Sequence, residues 1–487
     1  MRGWREPGPD APEGSALGRF AGERVVIAGF RLAGQASAKV LLAEGAQVRV
    51  SESAPLEQIA PRVPPGLDVD LRAGGHQPEH LEGATLLVVS PGVPESAPVI
   101  TWARRRGIPV WSELELGARL CRVPVIAVTG TNGKTTTVEM IAQTMRASGL
   151  SVRACGNVGY PFPVAAREAF DALVVEASSY QLRFQTSLRP KVSVLLNLAP
   201  DHLDWHRSFA AYRAAKARIF ARQRKNQVHV GNRDDPEASR LSATAPCPVR
   251  WFGWGPPRAG DVGIVAGRVV TGGPHEADLG TLPPNASSSL LSDAAACAAA
   301  SLAFGLPPQA IRSGLAAFEP LPHRGSVVAQ VESVKFIDDS KATNPHAALS
   351  ALEGLSGAVL IAGGLAKGVD LSPLASATPS LAGVVAIGES APDVAAVFEG
   401  LVPVWRASSM EEAVRQAFMG ARPVGTVVLA PACASQDMFR DYKERGDRFA
   451  RAAGALGGPT IGPGRSLEPR QPDAMDVSSH PPGRLHA

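Results

Sequence analysis

Short β-branched apolar runs alternate with Ala- and Leu-rich stretches of helical length along most of the chain. Runs such as VVIAGF, VIAVTG and AVLIAGG are apolar throughout, without the polar alternation of a half-exposed strand. Strands of this kind are typical of parallel sheets that are covered by helices on both faces. The pattern therefore predicts an α/β fold in which strand–helix units recur along the chain.

The predicted strands fall into three blocks, separated near Trp111 and near Leu321, where Pro-containing segments interrupt the pattern. Both ends of the chain are rich in Pro, Gly and charge, a composition typical of disorder. Residues 255–288, which are rich in Gly, Pro and Ser, are predicted to form a loop or a small excursion within the second block. The predicted segments are a disordered extension 1–20, domains 21–111, 112–320 and 321–454, and a disordered tail 455–487.

Composition and charge exclude several classes of protein. The chain has 487 residues, of which 45% are hydrophobic and 19% charged, and its net charge is +4, so no strongly basic surface for nucleic acid is expected. The five cysteines form no CxxC pair, which disfavours a disulfide framework or a zinc site. No apolar run approaches the roughly 18 residues of a membrane-spanning helix, and no signal core is present. We predict a cytoplasmic protein with no nucleic-acid partner and no membrane insertion.

The segment VIAVTGTNGKTTT predicts a phosphate site at the junction of a strand and a helix. Its glycines free backbone amides, and the positive end of the following helix dipole favours an anion. Lys134 would reach the β- and γ-phosphates of ATP, and the Thr135 hydroxyl would bind Mg²⁺. A glycine-rich helix start without a ligand would not explain the lysine and the threonine together, although Val128 replaces the first Walker glycine. The predicted nucleotide contacts are Gly130, Thr131, Asn132, Gly133, Lys134, Thr135 and Thr136.

A carboxylate follows the next long apolar run. Glu176 would stand at the carboxyl end of a parallel strand, where α/β sheets bind ligands. Mg²⁺ takes carboxylate oxygens, so Glu176 is a candidate metal ligand. A surface carboxylate without a ligand is the alternative. By themselves, His202 and Lys216 fit a polar loop and a solvent-facing helix position.

Five segments together resemble the Mur ligases, the ATP-dependent amide-forming enzymes of peptidoglycan precursor synthesis, and their folylpolyglutamate synthetase relatives. In chain order the segments are TGTNGKTT, GNVG, EASSYQL, NLAPDHLDWH and YRAAKARIF. The resemblance implies a three-domain architecture with a Rossmann-like N-terminal domain, a central P-loop ATPase domain and a Rossmann-like C-terminal domain. It also implies that Glu176 and His202 bind Mg²⁺ with Thr135, and that Asn157 contacts the acyl end of the substrate. Lys216 would react with CO₂ to form a carbamate that supports Mg²⁺.

The last third of the chain resembles the D-glutamate-adding branch of this family, through DDSKATNP, GGLAKGVD and APACASQDMFRDY. The Asp-Asn-Pro-Arg segment of the diaminopimelate- or lysine-adding ligases does not occur in the sequence. The resemblance implies that Arg324 and Asp339 approach ATP. Cations and hydroxyls would then bind the two carboxylates of the amino acid. The side chains implied for this pocket are Lys341, Thr343, Lys367, Ser435 and Tyr442.

The first block contains a glycine turn similar to a dinucleotide-binding fingerprint, but Arg31 occupies the place of the middle glycine, which disfavours NAD. In the Mur ligases this domain holds the UDP part of the substrate. The resemblance therefore implies that the turn faces the diphosphate, and that the SPGVP segment lines the same pocket. The implied substrate contacts are Gly29, Gly34, Ser90, Pro91 and Gly92.

Two segments depart from the family pattern. Ser51, Glu52 and Ser53 stand where many members have Asp-Thr-Arg near uracil. The His-Asn-x-x-Asn segment, with asparagines near adenine in the family, is also altered, so adenine recognition is expected to be arranged differently. The residues at its three positions are Ser289, Leu290 and Asp293.

The resemblance implies a monomeric enzyme that uses ATP to join D-glutamate to UDP-N-acetylmuramoyl-L-alanine through an acyl phosphate. A sister Mur ligase or a folate-type glutamate ligase would share the central domain, but the motifs of the last block disfavour both. A nucleotide-driven switch protein would lack an amino-acid pocket. A catalytically idle paralogue is the remaining alternative, suggested by the altered His-Asn-x-x-Asn segment.

Overall fold

The computed structural model describes residues 18–273, 277–282 and 287–457, so most of the two predicted extensions lies outside the described residues. The chain forms two compact units, one up to Phe318 together with Lys367–Asp370, and one from Glu319 onward without that segment. Three sheets organise them, as the α/β prediction requires. Within the described residues, no helix is long and apolar enough to cross a membrane.

The first sheet is parallel throughout, with strand order β3-β2-β1-β4-β5, a Rossmann-like arrangement. Its strands are β1 (Arg24–Ala28), β2 (Gln47–Ser51), β3 (Asp70–Arg72), β4 (Leu86–Val89) and β5 (Val110–Ser112). The accompanying helices are α1 (Leu32–Ala43), α2 (Leu56–Ile59), α3 (Pro98–Arg105) and α4 (Glu113–Leu120), with 3₁₀ turns at Ala60–Arg62 and Pro78–Leu81. Phe20 is buried against the Trp111 ring, so folded structure begins before the predicted boundary at residue 21.

The second sheet has nine strands in the order β14-β13-β12-β11-β10-β9-β6-β8-β7, and its strands are parallel except for β12–β13 and β13–β14. Its first six strands are β6 (Val125–Thr129), β7 (Val152–Gly156), β8 (Ala172–Glu176), β9 (Val192–Leu195), β10 (Val228–Asn232) and β11 (Val249–Trp254). The last three are β12 (Val262–Val265), β13 (Arg268–Thr271) and β14 (Asp278–Gly280).

In the described part of residues 255–288 three strands extend the sheet, so the segment is a small excursion of the second block and not an open loop. Val262, Ile264 and Val269 bury their side chains in the core and so hold the strands in place. Ala266 and Gly267 join β12 to β13 with positive φ at both positions, the geometry of a tight hairpin. The glycines of this segment therefore serve turns between short strands.

Eight helices cover the described part of this sheet. They are α5 (Lys134–Ala147), α6 (Phe162–Ala165), α7 (Ser179–Arg183), α8 (Leu203–His206), α9 (Phe209–Ala217), α10 (Pro236–Ser242), α11 (Ser288–Phe304) and α12 (Pro308–Ala316). The α11 helix is buried from Asp293 to Ser301, and the small side chains of its alanine run allow close packing against the sheet. Helix α5 packs against both α11 and α12.

The second unit is built on a six-stranded sheet with order β15-β16-β20-β17-β18-β19, in which only the β15–β16 pair is antiparallel. Its strands are β15 (Ser326–Val331), β16 (Ser333–Asp338), β17 (Ala358–Gly363), β18 (Leu381–Ile387), β19 (Val404–Ala407) and β20 (Val424–Leu429). Its helices are α13 (Pro345–Leu352), α14 (Ala391–Phe398), α15 (Met410–Ala421) and α16 (Tyr442–Gly454), with a 3₁₀ segment at Ser372–Ser380. The carboxyl ends of β16, β20 and β17 are thus neighbours at one sheet edge.

A buried histidine links the middle of the second sheet to α10. His229 on β10 is fully buried, with Nδ1 2.7 Å from Ser193 Oγ and Nε2 2.9 Å from Ser242 Oγ. Desolvation lowers the pKa of His229 to about 3, so the ring stays neutral in the folded protein well below neutral pH. The unfolded chain takes up a proton near pH 6.5, and acid therefore favours unfolding.

We expect His229→Gln to reduce the loss of stability between pH 7 and pH 5. The wild-type ring should cost about 2 kcal/mol of unfolding free energy over this range, since one pKa unit corresponds to about 1.4 kcal/mol. Glutamine can still bond both serines but does not titrate. Urea unfolding at both pH values measures the difference. If wild type and variant lost the same unfolding free energy between pH 7 and pH 5, His229 would be protonated in the folded state.

Candidate active site

The predicted phosphate loop lies between β6 and α5, and its backbone is held from the neighbouring strand end. Asn132 N donates to Asn197 Oδ1 at 2.8 Å, while Thr131 Oγ1 lies 3.0 Å from the Tyr212 hydroxyl. Gly133, with φ of 82°, precedes the helix, which begins at Lys134 as predicted. Because Gly133 has no side chain to cap the helix, the first-turn amides remain suited to an anion.

Lys134 folds back over this loop. Its Nζ donates to Gly130 O at 2.9 Å and to Thr131 O at 2.7 Å. The ammonium group therefore lies at the loop itself, where a phosphate held by the loop amides would meet it. Thr136, in the first turn of α5, is buried.

Glu176 lies at the end of β8 and bonds two other predicted site residues. It is 2% exposed, its Oε2 accepts from Thr135 Oγ1 at 2.8 Å, and its Oε1 accepts from Asn157 Nδ2 at 3.0 Å. A hydroxyl and a carboxylate in direct contact are the oxygen donors that Mg²⁺ uses beside phosphate. Among the described residues no cluster of three or more His, Cys, Asp or Glu could hold a metal by itself. The donors thus fit an ion that also binds phosphate oxygens.

Lys216 projects from α9 to the underside of the phosphate loop and is 1% exposed. Its Nζ donates to Gly130 O at 2.7 Å and lies 4.7 Å from the centre of the Tyr212 ring. Desolvation and then the charge of Lys134 lower the pKa of Lys216 well below its usual value, against the opposing charges of Asp201 and Glu176. The neutral amine is the nucleophilic form of a lysine, and this environment favours it more than an ordinary surface position does.

His202, the third predicted metal ligand, is more exposed to solvent than Glu176. Its side chain is 45% exposed, with Nδ1 3.4 Å from Asp201 Oδ1 and the ring centre 4.9 Å from that of Tyr180. The backbone at His202 is left-handed, with φ of 54°, which turns the chain into α8. Its assignment to a metal stays a prediction.

His206 is a buried member of the same histidine segment, and sequence reasoning assigned it no role. Its Nε2 lies 2.9 Å from Ser179 Oγ, and its ring stacks on Tyr180 at 5.7 Å. Desolvation, then the charges of His202 and Lys216, lower the pKa of His206 to about 4. The ring is therefore neutral beside the buried amine. Its spacing of four residues from His202 is the only sequence signal that the two share a helical turn.

The glycine turn of the first sheet contacts the predicted SPGVP segment directly. Gly29 has φ of 85°, and its carbonyl accepts from Ser90 Oγ at 2.8 Å. A Cβ on Gly34 would lie 2.1 Å from Gly29 O, which explains the second glycine of the turn. Pro91 and Gly92 continue the loop after Ser90. The structure thus brings the five predicted UDP contacts to one edge of the sheet.

A buried carboxylate between the first and second sheets has no counterpart in the sequence predictions. Glu113, the first residue of α4, accepts from Gln181 Nε2 at 2.8 Å through Oε1. Among the described residues Oε2 has no hydrogen-bond partner. Desolvation raises the pKa of Glu113 to about 7. A small cavity beside it is also lined by Ser90 and Pro91, so this carboxyl group adjoins the predicted substrate pocket.

The residues that replace the family's His-Asn-x-x-Asn segment at the start of α11 lie in two different environments. Leu290 packs against the core of the central sheet, and Ser289 Oγ lies 3.1 Å from Ser287 Oγ. Asp293 instead reaches the phosphate-loop region, where its Oδ1 accepts from Thr137 Oγ1 at 3.1 Å. A Cβ on Gly133 would lie only 2.3 Å from the same oxygen, so a carboxylate is packed against the loop.

Four of the five predicted amino-acid contacts, Lys341, Thr343, Ser435 and Tyr442, lie beside the carboxyl edge of the sheet in the second unit, whereas Lys367 belongs to the segment grouped with the first unit. Lys341 Nζ lies 4.1 Å from the centre of the Tyr442 ring, and Ser435 is 2% exposed. Thr343 is half-buried, whereas Lys367 is exposed and has a positive φ of 52°. The geometry joins Lys341 to Tyr442, while the roles of all five residues stay predictions.

The two nucleotide contacts predicted for this unit are half-buried. Desolvation raises the pKa of Asp339 to about 7, with Arg324 opposing the shift and Asp338 reinforcing it. His323 precedes Arg324, and its Nδ1 lies 2.7 Å from Asp338 Oδ2. Burial disfavours its charged form, but the bond to Asp338 raises the pKa of His323. Their approach to a nucleotide stays a prediction.

Comparisons with known proteins agree across the chain. Residues 23–112 match the Mur ligase MurD-like N-terminal domain, residues 128–257 the Mur ligase middle domain, and residues 323–433 the Mur ligase glutamate ligase domain. The UDP-N-acetylmuramoylalanine–D-glutamate ligase of Frankia casuarinae is 43% identical over 462 residues, covering 90% of this chain and 95% of that protein. The ligase of the same name from Streptomyces coelicolor is 40% identical, covering 90% of this chain and 99% of its own length.

Solved structures share the fold at low sequence identity. MurF ligase from Thermotoga maritima in complex with ADP has a TM-score of 0.57 at 17% identity and covers 90% of this chain and 96% of its own. UDP-N-acetylmuramate-alanine ligase MurC from Thermotoga maritima has a TM-score of 0.54 at 18% identity, covering 89% and 99%. The three-domain architecture predicted from the sequence is confirmed. Together with the extent and identity of the sequence matches, it shows that the chain belongs to the Mur ligase family.

Proposed function

We propose that this chain is an ATP-dependent ligase that joins D-glutamate to UDP-N-acetylmuramoyl-L-alanine in peptidoglycan synthesis. Relatives from 36% to 43% identical over about nine-tenths of the chain carry the name of this activity. The observation that carries the proposal is Lys216, a fully buried amine held on the Gly130 carbonyl of the phosphate loop beside Lys134. A protein that only bound a nucleotide would gain nothing from this costly burial.

The reaction has two steps. The carboxylate of the UDP-linked substrate attacks the γ-phosphorus of ATP, so that a C–O–P bond forms and ADP leaves. The amine of D-glutamate then attacks the acyl carbon, and the tetrahedral intermediate expels phosphate and loses a proton to give the amide. Lys134 and the amides at the start of α5 would stabilise the charge on the transferring phosphoryl group, which is the main catalytic requirement of such a transfer.

Thr135 and Glu176 are the residues that would hold Mg²⁺, with His202 and a carbamate on Lys216 as the further ligands that the resemblance implies. The ion would neutralise phosphate charge as a Lewis acid. Carbamate formation would convert the Lys216 amine into an anion by adding CO₂ and releasing one proton. The lowered pKa of Lys216 supports this reaction, because only the neutral amine adds CO₂.

Residues of the second unit would select the amino acid. Lys341 offers a cation beside the Tyr442 ring, and Ser435 and Thr343 offer hydroxyl donors on neighbouring loops. Lys367, which is grouped with the first unit, is the second cation that the resemblance implies. A dicarboxylate needs such donors around both of its acidic groups.

We also propose that the enzyme acts in the cytoplasm as a monomer. All five cysteines are free, and four of them are buried, which suits a reducing compartment. Sedimentation of the purified chain tests the oligomeric state.

The first test of the function is phosphate release with Mg·ATP and UDP-N-acetylmuramoyl-L-alanine, with D-glutamate, L-glutamate, L-lysine or meso-diaminopimelate supplied in turn. We expect turnover with D-glutamate alone, because the pocket side chains favour a second carboxylate over a second amine. Turnover with another amine would assign the chain to a sister activity. ATP binding without any turnover would overturn the proposal in favour of an idle paralogue.

We expect Lys216→Ala to lose at least about a hundredfold in kcat, the size typical when a group that stabilises transferring charge is removed. A small carboxylic acid such as acetate should restore part of the rate, since it can occupy the vacated space as an anion. The control is Lys225→Ala, at an exposed lysine close in sequence, which should keep wild-type activity. Full activity of Lys216→Ala would exclude the carbamate role.

We expect Asp293→Asn to strengthen binding of ADP. The amide keeps the bond from Thr137 but removes a negative charge packed against the phosphate loop, an effect of order 1 kcal/mol or about fivefold in Kd. Titration calorimetry with ADP measures it. Glu57→Gln, at an exposed carboxylate of the first sheet's domain, should leave the Kd unchanged. Weaker binding to Asp293→Asn would mean that the carboxylate itself serves the nucleotide.

A further inference from the structure

The second unit contains an arginine that is almost completely buried. Arg445 lies on α16 and is 1% exposed, which makes it the largest of the fully buried side chains. Arginine keeps its proton in proteins, and a buried cation is costly unless its donors are satisfied. Its environment therefore has to be specific.

The guanidinium group is satisfied by neutral oxygens. Nε donates to Ser340 Oγ at 3.0 Å, Nη2 donates to Ser340 O at 2.8 Å, and Nη1 donates to Cys433 O at 3.1 Å. Among the described residues no carboxylate oxygen lies within 4.0 Å of it, although Asp338 and Asp437 act on it from farther away. Desolvation lowers the pKa of Arg445 to about 10, which leaves it charged at neutral pH.

These contacts join the loops that follow two adjacent strands, and a third loop lies beside the guanidinium group. Ser340 follows β16 and Cys433 follows β20. Gly364 follows β17, and a Cβ built on it would lie 3.3 Å from Nη1 of Arg445. A larger residue at Gly364 would also meet Ala434 O at 2.3 Å. One side chain thus bonds two loops and packs beside a third at the carboxyl edge of the sheet.

The proposed glutamate contacts lie on or beside the same loops. Ser340 directly precedes Lys341, and its Oγ donates to Tyr442 O at 2.7 Å. Tyr442 carries the ring that Lys341 covers, and Ser435 lies two residues after Cys433. Moving the guanidinium would therefore displace Lys341, Tyr442 and Ser435 together.

We propose that Arg445 is the positioning residue of the amino-acid pocket, and that its unpaired charge favours a substrate with two carboxylates. This inference rests on the proposed function, since it assumes that the pocket takes D-glutamate. The planar guanidinium group fixes the loops through its hydrogen bonds. Its positive charge raises the electrostatic potential where the acidic side chain of the substrate would bind. Arg445 itself would not touch the substrate.

The test compares Arg445→Met, which removes the charge, with Arg445→Lys, which keeps a charge but loses the fork. For Arg445→Met we expect the KM for D-glutamate to rise at least tenfold, while the KM for ATP changes less than twofold. Arg445→Lys should show a smaller rise. The matched control is Arg448→Met, at a half-exposed arginine one turn later on α16, which should leave every KM unchanged.

A second measurement separates the effect of the Arg445 charge from its effect on the position of the loops. D-glutamine, which has a neutral side chain, is measured as a competitive inhibitor against D-glutamate in each variant. Because Arg445→Met loses the charge, its preference for D-glutamate over D-glutamine should be smaller than that of the wild type. Arg445→Lys keeps the charge and should keep this preference. An unchanged ratio with equal losses in both variants would overturn the electrostatic part of the proposal, and an unchanged KM for D-glutamate would overturn all of it.

Ser340→Ala provides a variant that keeps the arginine, in case the Arg445 variants do not fold. It removes the oxygen that joins Nε of Arg445 to Tyr442 O, so we expect a threefold or greater rise in the KM for D-glutamate at unchanged KM for ATP. An unchanged KM for D-glutamate would contradict the positioning role. Absence of turnover in the wild-type chain with D-glutamate would instead refute the proposed function, so the two failures are distinguishable.

Discussion

The burial of one amine beneath the phosphate loop is the constraint on which the central site depends. Lys216 bonds the Gly130 carbonyl from below, and Lys134 bonds the same carbonyl from the loop side. Two ammonium groups so close to each other repel, and the buried one is also deprived of water, so the pKa of Lys216 falls well below its usual value. The fold thereby places two lysines on one loop carbonyl and lowers the pKa of the buried one, an effect that neither residue would show alone.

The second unit accommodates a buried cation in a different way, by supplying hydrogen-bond acceptors. A lysine can escape the cost of burial by deprotonation, whereas arginine retains its charge and needs oxygen acceptors. Arg445 finds them in two carbonyls and a hydroxyl on loops that follow adjacent strands. Both sites use backbone carbonyls at the carboxyl edge of a parallel sheet. That edge is where the chain leaves the sheet ladder and its carbonyls become free to accept other donors.

Features coded by local sequence could be predicted, and features that depend on distant contacts could not. The strands, the helix start at Lys134 and the position of Glu176 at a strand end follow from patterns within about ten residues. The hairpin after β12 was missed because its glycines resemble those of a loop. Arg445 was missed because its partner Ser340 lies 105 residues away, and Glu113 because Gln181 lies 68 residues away. A charged residue on an amphipathic helix gives no local sign that it faces inward.

The departure at the end of β2 gives the Ser51–Ser53 segment a structural task in this protein. Glu52 directs Oε2 to the amide of Phe30 at 2.7 Å and Oε1 to the amides of Ser53 and Ala54 at 2.7 Å and 3.1 Å. Burial disfavours the carboxylate, but these bonds outweigh it and lower the pKa of Glu52. Because both oxygens are engaged, Glu52 orders the glycine turn after β1 and is not free to hold a base.

Ser51, beside it, occupies a different kind of network. Its hydroxyl lies 2.8 Å from Nδ1 of both His76 and His80, so the two rings take their orientation from one buried oxygen. A hydroxyl has a single proton to donate, so at least one of the rings must donate to it or be protonated. Recognition of a base by side chains would then fall to groups outside the Ser51–Ser53 segment, whose polar atoms already serve the protein. The family pattern at this position is therefore replaced by a support for the adjoining turn.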